Sequence, residues 1–95
     1  MTDKEHSKVL KVKNKLGLHA RAAAVFVRTS SKFTSEVKLI KDGYEVNGKS
    51  ILGVLSLAAI KGSELQVVTS GSDAETALKG IQELVESGFG EGIEE

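Results

Sequence analysis

The sequence predicts an α+β fold in which a four-stranded antiparallel sheet carries three helices on one face, in the order strand, helix, strand, strand, helix, strand, helix. Three observations lead there. Short stretches alternate apolar and polar residues with the period of two that marks a half-buried strand. Stretches between them repeat apolar residues at helical spacing. Asp42-Gly43 joins two strand-like runs with a dipeptide that tight hairpins favour.

From about Lys8 to Lys13, Leu10 and Val12 fall on one side and Lys11 and Lys13 on the other, giving the first strand. Asn14 to Leu18 holds a glycine and no periodicity. The first helix then runs from Ala20 to about Ser31. On a helical wheel Ala23, Phe26, Val27 and Ser30 share one face, while Arg21, Arg28 and Lys32 form a basic outer edge. That edge is either a solvated helix face or a steering surface for an acidic partner.

Glu36 to Lys41 alternates again, and the Asp42-Gly43 turn leads into Tyr44 and Val46, so the second and third strands pair. Ser50 precedes a short run, Ile51 to Leu57, where its hydroxyl is well placed to cap a helix. That helix is apolar nearly all round. Packed on one side only, it must leave part of Ile51, Leu52 and Leu55 as a surface patch.

Gly62 to Ser70 supplies the fourth strand, with Leu65, Val67 and Thr69 opposed to Glu64, Gln66 and Val68. Ser72-Asp73-Ala74-Glu75 has the capping-box pattern that opens the last helix, whose core stripe is Ala74, Ala77, Leu78, Ile81, Leu84 and Val85, with Gly88 as its stop. The expected domain is single and spans residues 1–95. Its ordered core covers about 7–88, and a frayed tail covers 89–95.

Composition excludes several function classes. Lys plus Arg number 13 and Asp plus Glu number 13, which removes the long-range attraction that generic nucleic-acid or anionic-membrane binding needs. There is no cysteine, hence no disulfide and no thiolate metal site. The first residues lack the apolar run of a signal peptide, and no later run approaches a membrane span. A cytoplasmic protein without membrane insertion is expected.

His19 stands where the glycine-containing loop meets the first helix, at the positive end of the helix dipole and beside its unpaired N–H groups, those of Ala20 and Arg21 among them. A neutral imidazole there can attack phosphorus and later pass the group on. Arg21 offers a planar, permanently charged fork to phosphate oxygens, and Gly17 allows the loop to approach closely. Taken alone, these residues equally describe an ordinary helix cap. A metal site has less support, since the only other histidine is His6 and no carboxylate cluster accompanies either. Ser50 likewise reads as a plain N-cap or as a phosphorylation site, and the two are compatible.

The run Leu16-Gly17-Leu18-His19-Ala20-Arg21-Ala22-Ala23, followed by Val46-Asn47-Gly48-Lys49-Ser50-Ile51-Leu52-Gly53-Val54-Leu55-Ser56-Leu57-Ala58, resembles HPr, the histidine phosphocarrier family of the bacterial phosphotransferase system. The likeness extends over about residues 7–88 and implies an open-faced β-sandwich. It implies phosphorylation of His19 on Nδ1 by enzyme I, with phosphoenolpyruvate as ultimate donor, and onward transfer to IIA domains of sugar permeases. Arg21 matches the family's active-site arginine. Ser50 matches its regulatory serine, the target of an HPr kinase/phosphorylase, and Ile51, Leu52 and Leu55 match its docking surface. No cofactor or metal is implied, and a monomer is the expected state of a carrier that visits several partners. One departure stands out: the family usually has proline after the arginine, and this chain has Ala22, which keeps its N–H and gives up a rigid dihedral.

Three other functions compete. A nitrogen-related regulatory HPr has nearly the same sequence requirements. A pure docking module would use the apolar patch and treat His19 as a cap. A stand-alone enzyme lacks a second acid–base group beside the one credible nucleophile.

Overall fold

The computed structural model describes residues 5–91. Seven elements follow in the predicted order: β1 (Glu5–Lys11), α1 (Ala20–Ser30), β2 (Glu36–Lys41), β3 (Tyr44–Asn47), α2 (Ile51–Ser56), β4 (Glu64–Ser70) and α3 (Ala74–Glu86). The four strands form one antiparallel sheet in the spatial order β1-β4-β2-β3. Asp42 and Gly43 both take positive φ, 51° and 81°, as the tightest hairpin turn requires, and close the Lys41–Tyr44 pair.

Alternation then sorts the two sheet faces. Leu10 pairs with Leu65, Leu39 with both Val67 and Val46, and Val37 with Thr69, so one face becomes a continuous apolar floor. All of these side chains are buried. The floor is covered by Ala22, Ala23, Phe26 and Ser30 of α1, Val54 of α2, and Ala74, Ala77, Ile81 and Val85 of α3. Ser30, the polar member of that set, donates to the Gly48 carbonyl at 2.6 Å. Ser50 caps α2 as its position suggests, accepting from the Gly53 N–H at 3.1 Å. No helix among the described residues is long and apolar enough to cross a membrane.

Two local expectations are corrected. Ser72 and Glu75 do not form a capping box; Asp73 occupies the N-cap of α3 without a side-chain capping bond. Its carboxylate turns instead to the chain entering β2, accepting from Thr34 N–H at 3.0 Å, Ser35 N–H at 2.9 Å and the Ser35 hydroxyl. Those donors come from a distant loop, which a four-residue capping pattern cannot register.

The tail is the second correction. The chain does not fray from residue 89. Gly88 ends α3 at φ 73°, the Phe89 N–H returns to the Leu84 carbonyl at 2.9 Å, and the Phe89 side chain joins the hydrophobic core. Glu91 N–H bonds the Gly88 carbonyl at 2.9 Å, so the chain is structured through Glu91, while 92–95 lie outside the described residues. At the other end β1 begins at Glu5, earlier than the alternation alone suggests.

The Asp73 anchorage has a pH signature. Hydrogen bonds from Ser35 and then Thr34 outweigh the opposing cost of desolvation and pull its pKa from 3.8 to about 2. The folded value is the lower one, so ionised Asp73 stabilises the fold above pH 3.8 and that stabilisation is lost as pH falls towards 2. Asp73→Asn is expected to lower the urea midpoint at pH 7 and to match the parent near pH 2. A difference of constant size at both pH values would exclude this origin.

Candidate functional site

The site is built where the loop before α1 docks on the segment before β4. Gly17 takes φ 70°, and a Cβ at this position would collide with the Ala59 carbonyl oxygen. The close approach lets Leu18 N–H reach that same carbonyl at 2.9 Å and bury its side chain. The next residue, His19, is thereby delivered to the N-cap of α1 with φ −77° and ψ −179°. Its carbonyl accepts from Ala23 N–H at 2.8 Å, but its side chain makes no capping bond. The Ala20 and Arg21 N–H groups at the head of the helix have no acceptor among the described residues.

The imidazole has another partner. Nε2 lies 2.6 Å from Glu91 Oε2, with the two side chains 29% and 20% exposed, so His19 is reachable without being freely solvated. The other carboxylate oxygen, Oε1, accepts from Asn14 Nδ2 at 2.9 Å, and the same amide nitrogen bonds the Gly17 carbonyl at 2.9 Å. The Asn14 hydrogen bond is the main cause that holds the Glu91 carboxyl below its ordinary pKa. Desolvation opposes it, and the His19 hydrogen bond and the charges of His19 and Arg21 add to it. Arg21 is exposed on the first turn, free of hydrogen bonds and ion pairs to the described residues.

Ser50 is the N-cap of α2. Beside it Ile51 and Leu52 are 41% and 77% exposed, as expected of a patch, but Leu55 is half-buried and packed against the core. The turn of α2 that buries Val54 also carries Leu55 partly inward, so it contributes less to the exposed patch than Ile51 and Leu52. Leu16 and Ile60 are exposed instead, on the two segments that meet at Gly17.

Asn14 and Glu91 are the residues that sequence reasoning missed. They stand 77 positions apart and no local pattern joins them; the sole hint was the tight stop at Gly88, which brings the tail back across the fold.

Comparison with known proteins decides the family. The model described as "PTS HPr component phosphorylation site" matches residues 6–87. The chain belongs to the HPr family. Among HPr relatives, the phosphocarrier protein HPr of Xylella fastidiosa strain Temecula1 is 51% identical over 82 residues, 86% of this chain and 92% of the relative. The HPr-like protein Crh of Halalkalibacterium halodurans is 44% identical over 79 residues, 83% of this chain and 94% of its own length. The crystal structure of an HPr from Thermoanaerobacter tengcongensis superposes with a TM-score of 0.89 at 44% identity, covering 93% of this chain and 99% of that one. The element order and the open-faced sheet of this HPr-family chain are thus those of solved HPr structures, and the family role is that of a phosphocarrier in the phosphotransferase system.

Gly17→Ala tests how far the site depends on the loop. A left-handed alanine costs about 1–3 kcal/mol before the collision with Ala59 is counted. Chemical denaturation is expected to show at least that loss, with the Leu18 amide losing its exchange protection. A variant as stable as the parent would mean that the loop re-docks without this contact.

Proposed function

We propose that this HPr-family chain accepts a phosphoryl group on Nδ1 of His19 from phosphorylated enzyme I and delivers it to IIA domains of sugar permeases, working in the cytoplasm as a stoichiometric carrier. The observation that carries the reading is the contact of the imidazole Nε2 with the Glu91 carboxylate, 2.6 Å away. Nε2 is engaged by Glu91, whose depressed pKa keeps it an anion that can only accept a hydrogen bond. Nε2 is therefore the donor in this contact, and in the neutral form of the ring the lone pair lies on Nδ1. Because His19 does not cap its own helix, Nδ1 is not spent on the backbone.

The surroundings suit a phosphoryl group. The open N–H groups of Ala20 and Arg21 and the positive end of the α1 dipole favour an anion beside the ring. Arg21 can extend its guanidinium over the same oxygens. Partners reach the site across Ile51, Leu52 and the half-buried Leu55, together with Leu16 and Ile60, which give docking proteins an apolar surface.

Ser50 is proposed as the regulatory position, open to an HPr kinase/phosphorylase. A phosphate there adds about −1.5 to −2 charges at the head of α2 and next to exposed Ile51 and Leu52. The helix tolerates that charge at its N-terminus, so the effect falls on docking rather than on folding.

The test mixes purified protein with enzyme I and phosphoenolpyruvate and reads intact mass. One acid-labile phosphoryl group on the parent and none on His19→Ala is the expected result; an unmodified parent with a competent enzyme I removes the proposal. In the same assay Arg21→Lys should transfer about tenfold more slowly, the equivalent of one lost charge-assisted hydrogen bond. Ser50→Asp, which retains a capping side chain, should leave the thermal midpoint near that of the parent while weakening enzyme I binding several-fold. Equal affinity would take Ser50 out of the regulatory role.

A further inference from the structure

Glu91 is held through both its backbone and its side chain. Its backbone N–H is tied to Gly88, and the neighbouring Phe89 is anchored in the core. Both carboxylate oxygens are used: Oε2 by His19 and Oε1 by Asn14. Asn14 is itself 1% exposed, clamped by a second bond to Gly17 and left with a buried Oδ1 that has no partner. Leaving that oxygen unpaired is costly, so the amide is oriented by what its nitrogen does. The stretch matched by the family model ends at residue 87, short of Glu91.

We propose that Asn14 and Glu91 form a positioning relay for His19: Asn14 aims the Glu91 carboxylate, and the carboxylate holds the proton on Nε2 and neutralises the positive charge the ring gains when Nδ1 is phosphorylated. The inference rests on His19 being the acceptor.

The transfer balances without an external acid or base. The Nδ1 lone pair attacks the phosphorus of the phosphorylated donor; an N–P bond forms at Nδ1 as the donor's bond to phosphorus breaks, and the donor's leaving atom keeps the bonding electrons. His19 now carries both the phosphoryl group on Nδ1 and a hydrogen on Nε2, so the ring bears a formal positive charge. The Glu91 carboxylate, 2.6 Å from Nε2, faces that charge directly. In the return step the Nδ1–P bond breaks with its electrons going to Nδ1, and the ring leaves as a neutral imidazole with its proton still on Nε2. The carboxylate sits at Nε2, across the ring from Nδ1, and the Arg21 charge that helps hold Glu91 ionised also offsets its repulsion of the incoming phosphoryl group.

The experiment compares the full chain with Glu91→Gln, Glu91→Ala and Asn14→Ala, using enzyme I and phosphoenolpyruvate for the transfer rate and NMR of the imidazole for the proton. The parent should show a downfield, slowly exchanging Nε2–H signal. Glu91→Gln, which can accept the same hydrogen bond without the charge, should retain a weaker signal and transfer about tenfold more slowly; Glu91→Ala should lose the signal and be slower still. Asn14→Ala should fall between the parent and Glu91→Ala. The Phe89 amide reports whether the tail stays docked, and Glu91→Gln stands as the decisive variant if alanine releases it. Phosphorylation of Glu91→Gln and Glu91→Ala at the parental rate would overturn the relay while leaving the carrier function intact. A parent that takes no phosphoryl group would remove both.

Discussion

One face of the sheet, carrying Leu10, Val37, Leu39, Leu65 and Val67, must be taken out of water, and the position of every helix follows from that requirement. Phe26 of α1 and Ile81 of α3 are wholly buried in this cover, which settles how far along the sheet each helix lies. The start of α1 is therefore a consequence of core packing. What remained for the loop before it was to bring His19 to that start, and it does so by pressing Gly17 and Leu18 against Ala59.

The chemistry occupies the part of the structure that packing leaves unsatisfied. An ordinary N-terminus would be closed by a capping side chain, as α2 is by Ser50. In α1 the N-cap residue withholds its side chain, and the first N–H groups of the helix keep no acceptor among the described residues. The withheld imidazole is instead secured by a carboxylate from the far end of the chain. The head of α1 thus stays free of a side-chain cap, as the head of α3 also does, and the His19 imidazole is held at Nε2 by Glu91.

The readable parts of this structure were those encoded within a few residues. Asp42-Gly43 specifies a turn by its two left-handed positions, Ser50 specifies a cap, and Leu65, Val67 and Thr69 specify a strand face; each needs only its neighbours. The placement of His19 and Arg21 at the head of α1 was legible for the same reason, since the loop, the residue and the helix are contiguous. Glu91, Asn14 and the Asp73 anchorage were not, because their meaning depends on a partner brought near by the folded chain. Asp73 shows how the two levels conflict: its local pattern offers a capping box, yet the arrival of Thr34 and Ser35 gives the carboxylate three donors at once, and the tertiary option wins. Leu55 shows a finer point, for on a two-turn helix the boundary between patch and core runs through a half-buried residue.

Ala22 can be weighed in the same terms. The proline usual in the family at this position supplies a fixed dihedral near the start of the helix and no N–H. Here the start of α1 is held by other means: Ala22 and Ala23 are both fully buried, the Ala23 N–H closes on the His19 carbonyl, and Phe26 anchors the next turn in the core. The rigidity that proline would add is thus largely duplicated by packing. Alanine also retains an N–H in the first turn, where no described residue accepts it, so the substitution adds a potential donor at the end of the helix that carries His19. The departure from the family pattern exchanges a covalent restraint for a packed one and leaves the electrostatic character of the site intact.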